Sequence, residues 1–259
     1  MGVVMLALLQ QRARGQWRLS TFSQQWSPMA RLPRADLPGW PQLVCQRAHD
    51  GANWLRDGHD LSVALAGLRE VSRAAEVRIH AYSLTAEQLH LLVTPDAPEA
   101  VSRMMQAFGR RYVAAFNRHH QRSGGLWAGR YRSVVLDEAR FLLDAMQWVD
   151  EGPAGVPEGP HASSLAHHLG QRTDPLVVDH AAYWGLGNTP FERHLAWQQR
   201  LAQGLSPAVA QVLARGLHTG WPLVSTEQAA ALAAQAGRRL VPARRGRPRK
   251  SAQNDSDPN

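Results

Sequence analysis

The sequence predicts an α+β protein in which helices pack on an antiparallel sheet. Two observations carry this: the order strand, helix, strand, strand, helix, strand, helix, and the switch of apolar period between two and about 3.6 along it. Pro33, Pro38, Gly39 and Pro41 make an irregular entry, and Gln42 to Arg47 follows as the first strand. Asp57 and Asp60 offer caps for a helix to about Ala75, with Leu61, Leu65, Leu68 and Val71 at helical spacing. Val77 to Leu84 and Leu89 to Thr94 alternate as strands. Glu99 to about His119 is the clearest helix, because Val101, Met105, Phe108, Tyr112 and Phe116 form one stripe. Ser123-Gly124-Gly125 is a turn, and Arg130 to Leu136 a further strand. Asp137 can cap a helix through Val149, which Gly152-Pro153 stops. After Gly170 the pattern is helical, over Thr189 to Gly204, Pro207 to Leu217 and Thr226 to Gly237, with Ser225 and Gln228 as a capping box for the last.

A length of 259 residues suits one large domain or a domain with a smaller appendage. The net charge of +8 favours a polyanionic partner. Nearly all the basic residues are Arg, and Lys250 is the sole Lys. Codon bias in a GC-rich genome explains most of that ratio, although the planar guanidinium also suits phosphate. Cys45 is the single cysteine, which excludes an internal disulfide and fits a reducing compartment. No apolar run approaches the roughly 18 residues of a membrane span. In Met1 to Leu9 the apolar run precedes its Arg residues, the wrong order for a signal peptide. The expectation is a cytoplasmic, nucleoid-associated protein without a membrane partner.

The segment His80-Ala-Tyr-Ser-Leu-Thr-Ala-Glu-Gln-Leu-His-Leu-Leu-Val-Thr-Pro95 holds the chemistry. Gln88 and His90 stand two apart where the second strand begins, so their side chains share a face. The segment resembles the strand of single-tyrosine HUH transposases that presents two His around one apolar residue and ends in Thr-Pro. Leu43 to Arg47 is similar to that family's first strand. Phe116-Asn117 and Arg122-Ser-Gly-Gly-Leu-Trp127-Ala-Gly-Arg130-Tyr131-Arg132 are similar to its Asn, Arg-x-Gly-x-Leu-Trp-x-x-Arg-Tyr block. Asp174-Pro-Leu-Val and the terminal Arg-Gly-Arg-Pro-Arg-Lys250 resemble the REP-associated tyrosine transposases, which carry a C-terminal extension. The likeness runs from about Met29 to Lys250. It implies a ferredoxin-like antiparallel sheet with packed helices, followed by a helical C-terminal extension.

The resemblance also implies a mechanism. A Tyr before an Asn-Pro pair attacks a DNA phosphate and leaves a phosphotyrosine, while Mg or Mn on the His pair polarises the phosphate. Aligned through Pro153, the Tyr position is Trp148, the Asn position is Gly152, and the first His is Gln88; His90 alone is kept. Indole has no ionisable oxygen and cannot form a phosphoester. His90 and Gln88 are the remaining metal ligands, a neutral pair that predicts weak or absent Mg or Mn binding. Tyr112 lies on its helix's apolar stripe and reads as core. Tyr131 belongs to the Arg-Tyr strand.

DNA binding is expected to survive. Between Ala100 and Leu136 there is no acidic residue, whereas Arg103, Arg110, Arg111, Arg118, Arg122, Arg130 and Arg132 all occur. Trp127 is either a base-stacking ring beside these Arg residues or plain core. Arg245 and Arg247 in the tail resemble an AT-hook that reads A·T-rich minor grooves, or act as a non-specific tether. His119-His120 and His167-His168 are expected to point apart, as surface residues and not metal sites.

The expected organisation is a non-native or disordered lead over 1–28, with Met29 as the natural start. A transposase-like domain over 29–160, a helical extension over 161–241 and a basic disordered tail over 242–259 follow it. The leading functional expectation is a protein binding hairpin or palindromic single-stranded DNA, with strand transfer weakened or lost. The alternatives are an active transposase or nuclease using a relocated Tyr or a metal-bound water at His90, and a decayed insertion-sequence remnant. The family implies a homodimer.

Overall fold

The structure, a computed structural model, describes residues 34–35, 37–49, 53–152 and 160–242. The expected lead over 1–28, the Pro153 stop and the tail residues Arg245 and Arg247 lie outside the described residues. The first strand, β1, spans Gln42–Arg47 and leads to helix α1, Gly58–Ala74. Asp57 caps α1, accepting a hydrogen bond from the Asp60 amide. Strands β2 (Val77–Leu84) and β3 (Gln88–Pro95) form a hairpin, followed by helix α2, Ala100–His119. Strand β4, Arg132–Val135, and helix α3, Glu138–Glu151, complete the first half, with Asp137 capping α3.

The sheet is antiparallel and ordered β4-β1-β3-β2, the ferredoxin-like arrangement, with a short fifth strand β5 (Ala162–Ser163) added beside β2. The central strands are covered on both faces, and they read as near-continuous apolar runs for that reason. One face carries α1 and α2, where Leu68, Val71, Met104 and Phe108 pack on Val44, Ile79, Leu91 and Val93. The other face carries α3.

The C-terminal chain folds over that second face. It contains α4 (Leu165–His168), α5 (Ala181–Trp184), α6 (Pro190–Gln203), α7 (Pro207–Thr219) and α8 (Thr226–Ala233). Thr189 with Glu192 and Ser225 with Gln228 form full capping boxes. Tyr183, Trp197, Leu213 and Leu217 share one core with Leu43, Leu92, Phe141 and Met146. Gly216 lets α7 approach closely: a Cβ there would meet Leu223 Cδ1 at 3.0 Å and Val134 Cγ2 at 3.2 Å.

Three sequence expectations need correction. The fourth strand is shorter than Arg130 to Leu136, because Gly129 to Tyr131 stays in the preceding loop. The last helix ends at Ala233 rather than Gly237. Strand β5 and helices α4 and α5 were not expected; each is four residues or fewer and carries no readable period. Among the described residues no helix is long and apolar enough to cross a membrane.

Candidate nucleic-acid interface

Strand pairing sets a row of side chains across the sheet. Cys45 lies opposite Arg132 on one side and His90 on the other, and His90 lies opposite Ser83. Residues directly opposed in antiparallel strands share a face, and Cys45 belongs to the α3-side core. Arg132, Cys45, His90 and Ser83 therefore line up beneath α3. One row further, Arg47 faces Gln88. Gln88 is half-buried and His90 buried.

Helix α3 brings Trp148 to this row. Its ring meets His90 edge to face, with centroids 5.2 Å apart and planes at 84°. Two positions aligned through separate motifs, 58 residues apart by their numbers, thus touch in space. Gly152 ends α3 at φ 76° and ψ 126°, its amide bonded to the Val149 carbonyl. That backbone region strains any residue with a Cβ.

The row is electrically quiet. Burial, and then the charge of Arg47, hold the His90 imidazole down at about 3. Its Nδ1 is buried with no hydrogen-bond partner. Burial pushes the Cys45 thiol up to about 12, against the pull of Arg47 and Arg132. The thiol stays protonated near pH 7, the indole has no ionisable oxygen, and the neutral imidazole is buried under the Trp148 ring. Mg and Mn favour oxygen ligands, carboxylates above all. Among the described residues, the His, Cys, Asp and Glu groups close enough to share an ion do not include His90. Arg47 adds a repelling charge. The residues around His90 do not fit Mg or Mn.

Every tyrosine hydroxyl of the chain is hydrogen-bonded. The chain has four. Tyr82 donates to Asp174 at 2.5 Å, Tyr112 to the Trp54 carbonyl and Tyr183 to the His168 carbonyl at 2.8 Å. Burial raises the pKa of all three phenols. Tyr131 pairs with Ser102 at 2.8 Å, lies 3.7 Å beneath the Arg34 guanidinium and packs on the core of the α1–α2 face. That is the side of the sheet away from His90.

The basic block divides. Arg47, Arg110, Arg118 and Arg130 are exposed and make no side-chain hydrogen bond or ion pair among the described residues. Arg111 pairs with Glu70 at 2.5 Å. Arg122 folds onto its own loop, donating to the Gly125 carbonyl. Arg132 donates to the His218 carbonyl at 3.0 Å and ties β4 to the end of α7. Trp127 is half-buried, 5.3 Å from Trp54 and within 6.3 Å of Phe108 and Tyr112, so packing accounts for its ring. Arg110 and Arg111 ride on α2, on the face opposite the His90 row. Arg47 and Arg130 sit at the end of the sheet, where Ala128 and Gly129 bond to Arg47 and Gln46. The sequence reading missed Arg47 because its place opposite Gln88 depends on non-local strand pairing.

The His pairs do not point apart, and of the four only His119 is exposed. His168 is fully buried and donates from Nδ1 to Asp150 at 2.6 Å. Asp150 also accepts from Trp197 Nε1 at 3.2 Å and from Ser164 Oγ, whose oxygen in turn accepts from the Tyr82 amide. An acid on the buried stripe of α3 was the available signal. His119 and His120 lie 4.5 Å apart, ring to ring, and both reach acids at the start of α1. His80, placed at an irregularity in β2, bonds Thr94 and the Val178 carbonyl and fastens the C-terminal chain to the sheet.

No protein-family model matches the chain. Among curated proteins, the glutamate–tRNA ligase of Marinobacter nauticus is 34% identical over 116 residues. The match covers 39% of this chain and only 23% of the ligase. Among solved structures the chain is similar to a REP-associated tyrosine transposase bound to a REP hairpin, at 14% identity and a TM-score of 0.47, covering 60% of this chain and 96% of that one. It is also similar to a candidate transposase from Deinococcus radiodurans, at 17% identity and a TM-score of 0.32, covering 46% and 93%.

Proposed function

We propose that this chain binds hairpin or palindromic single-stranded DNA on a scaffold of the single-tyrosine HUH transposase kind, without covalent strand transfer. The reading rests chiefly on the contact between Trp148 and His90. The position the resemblance gives to the nucleophile lies against the position it gives to a metal ligand, and this contact supports the alignment that puts Trp148 in the nucleophile's place. An indole there seals the row instead of attacking a phosphate. The engaged phenols of all four tyrosines argue against a relocated nucleophile, and the poor fit to Mg or Mn argues against a metal-bound water at His90.

Binding needs positive charge without reactive groups, and that survives. Arg47 and Arg130 rim the end of the sheet beside Gln88, and Arg110 and Arg118 add charge along α2. Arg245 and Arg247 would add a contact to A·T-rich duplex flanking a hairpin, and a homodimer would double the rim. The proposed setting is the bacterial nucleoid.

Fluorescence anisotropy with a hairpin oligonucleotide, an unstructured strand and a duplex, at several salt concentrations, tests this. The hairpin should bind tightest. Each phosphate neutralised contributes about 0.7 to the log–log salt slope for single strands, so Arg47→Ala with Arg130→Ala should lower the slope by about 1.4. An unchanged slope would move the binding face elsewhere, and the absence of any hairpin preference would sink the proposal.

A further inference from the structure

One cluster of ligating side chains lies apart from the His90 row. It joins the first turn of α1 to the last turn of α2. His119 Nε2 lies 3.0 Å from Asp57 Oδ2, and His120 Nε2 lies 2.9 Å from Asp60 Oδ2. One ligand atom from each of the four residues lies within 4.8 Å of every other. From this geometry we infer a structural zinc site formed by Asp57, Asp60, His119 and His120, clamping the α1–α2 hairpin.

The donor set selects the ion. Two imidazoles and two carboxylates suit zinc and its borderline neighbours, whereas Mg favours oxygen and keeps its waters. Metal–ligand bonds of about 2.0–2.1 Å give a tetrahedron with edges of about 3.4 Å. The farthest atoms therefore need to draw together by no more than about 1.4 Å. Two carboxylates balance the charge of Zn²⁺. Four protein ligands leave no open position, which is the pattern of a structural site and not of a catalytic one.

Burial points the same way. Asp60 is 2% exposed, and its carboxylate accepts from the Arg56 amide and meets His120. No Arg or Lys side chain pairs with it among the described residues; the Arg56 guanidinium lies over the Phe116 ring instead. A buried carboxylate calls for a cationic partner. Phe116 packs on the His120 ring and His59 on the His119 ring, while the two imidazoles meet edge to face, and these contacts restrict their rotation. The basic loop starts immediately after His120, so the clamp also anchors the chain that carries Arg122 and Arg130.

The second His–Asp group, His167, His168 and Asp179, does not compete. It offers three ligands, one short of the closed set of four that a structural zinc site takes.

The test uses the full chain, free of any affinity tag and stripped with EDTA, titrated with Co²⁺ and then Zn²⁺. Wild type should take up one Co²⁺ per chain with the intense visible absorption of a tetrahedral site, and Zn²⁺ should displace it. Zinc at about a hundred times its dissociation constant should raise the melting temperature by about 5 °C. Asp57→Asn keeps a helix cap, since Asn caps as well as Asp, but should weaken cobalt uptake at least tenfold. His119→Ala with His120→Ala should abolish it, and His167→Ala should leave it unchanged. No saturable one-to-one binding by wild type overturns the inference. So does binding that survives the double His variant, or that is lost in His167→Ala.

Discussion

Replacing Asp150 with Ala should be among the most damaging single changes in the chain. The carboxylate accepts from His168 Nδ1 at 2.6 Å, from Trp197 Nε1 at 3.2 Å and from Ser164 Oγ, and all four residues are buried. A carboxylate only accepts, so these three groups are all donors to it. A buried donor left without a partner costs about 1–3 kcal/mol. Some relaxation, and water entering the gap, would reduce the sum to about 3–6 kcal/mol. His168 cannot compensate by turning over, because its Nε2 already lacks a partner. The loss is a large share of the roughly 5–15 kcal/mol that holds a domain folded. With a urea slope of about 3 kcal/mol per molar, the unfolding midpoint followed by tryptophan fluorescence should fall by about 1–2 M. Asp144 pairs with Arg200 at a partly exposed site, so Asp144→Ala should cost about 1 kcal/mol or less. If the two variants shift the midpoint equally, the buried carboxylate is not the tie between α3, β2 and the C-terminal helices.

Stability should also depend on acid. His90 is held at about 3 and His80 at about 4, both chiefly by burial. Below about pH 6.5 the unfolded chain binds protons that the folded chain refuses, so stability falls with pH by up to about 1.4 kcal/mol per unit for each His. The loss runs from pH 6.5 to about 4 for His80 and to about 3 for His90, and is absent above pH 7; melting curves of His90→Leu should show a shallower slope than wild type in that window, while His80, His180 and His218, also held down by burial, keep part of it. Gly216→Val should lower stability by about 2 kcal/mol, since its side chain would press on Leu223 and Val134. A variant as stable as wild type by urea unfolding would mean that α7 can slide away from β4.

The alternation and caps of the first half were readable because they are local. Asp57, Asp137, Thr189 and Ser225 each cap the helix that follows, through bonds spanning three residues. The Gln88 and His90 pair was legible for the same reason, since a strand's period fixes which residues share a face. What lay beyond the sequence is non-local. Arg47 joins the row only because β1 pairs with β3, and Trp127 is drawn into an aromatic cluster whose other members start at Trp54. His168 looked like half of an exposed pair, yet it is the centre of a buried network assembled from α3, α4 and α6. Acids among apolar residues on a helix stripe, such as Asp150, are the local trace such networks leave.

The most direct test of the account mixes the native chain with labelled hairpin DNA and Mn²⁺, and runs the same samples on native and on SDS gels. The account predicts a retarded hairpin band on the native gel and free DNA alone on the SDS gel. An SDS-resistant adduct that disappears in Tyr131→Phe or Tyr112→Phe would mean that a phenol of this chain attacks the DNA phosphate, and it would contradict the proposed absence of covalent strand transfer. Failure to retard the hairpin on the native gel would contradict it equally.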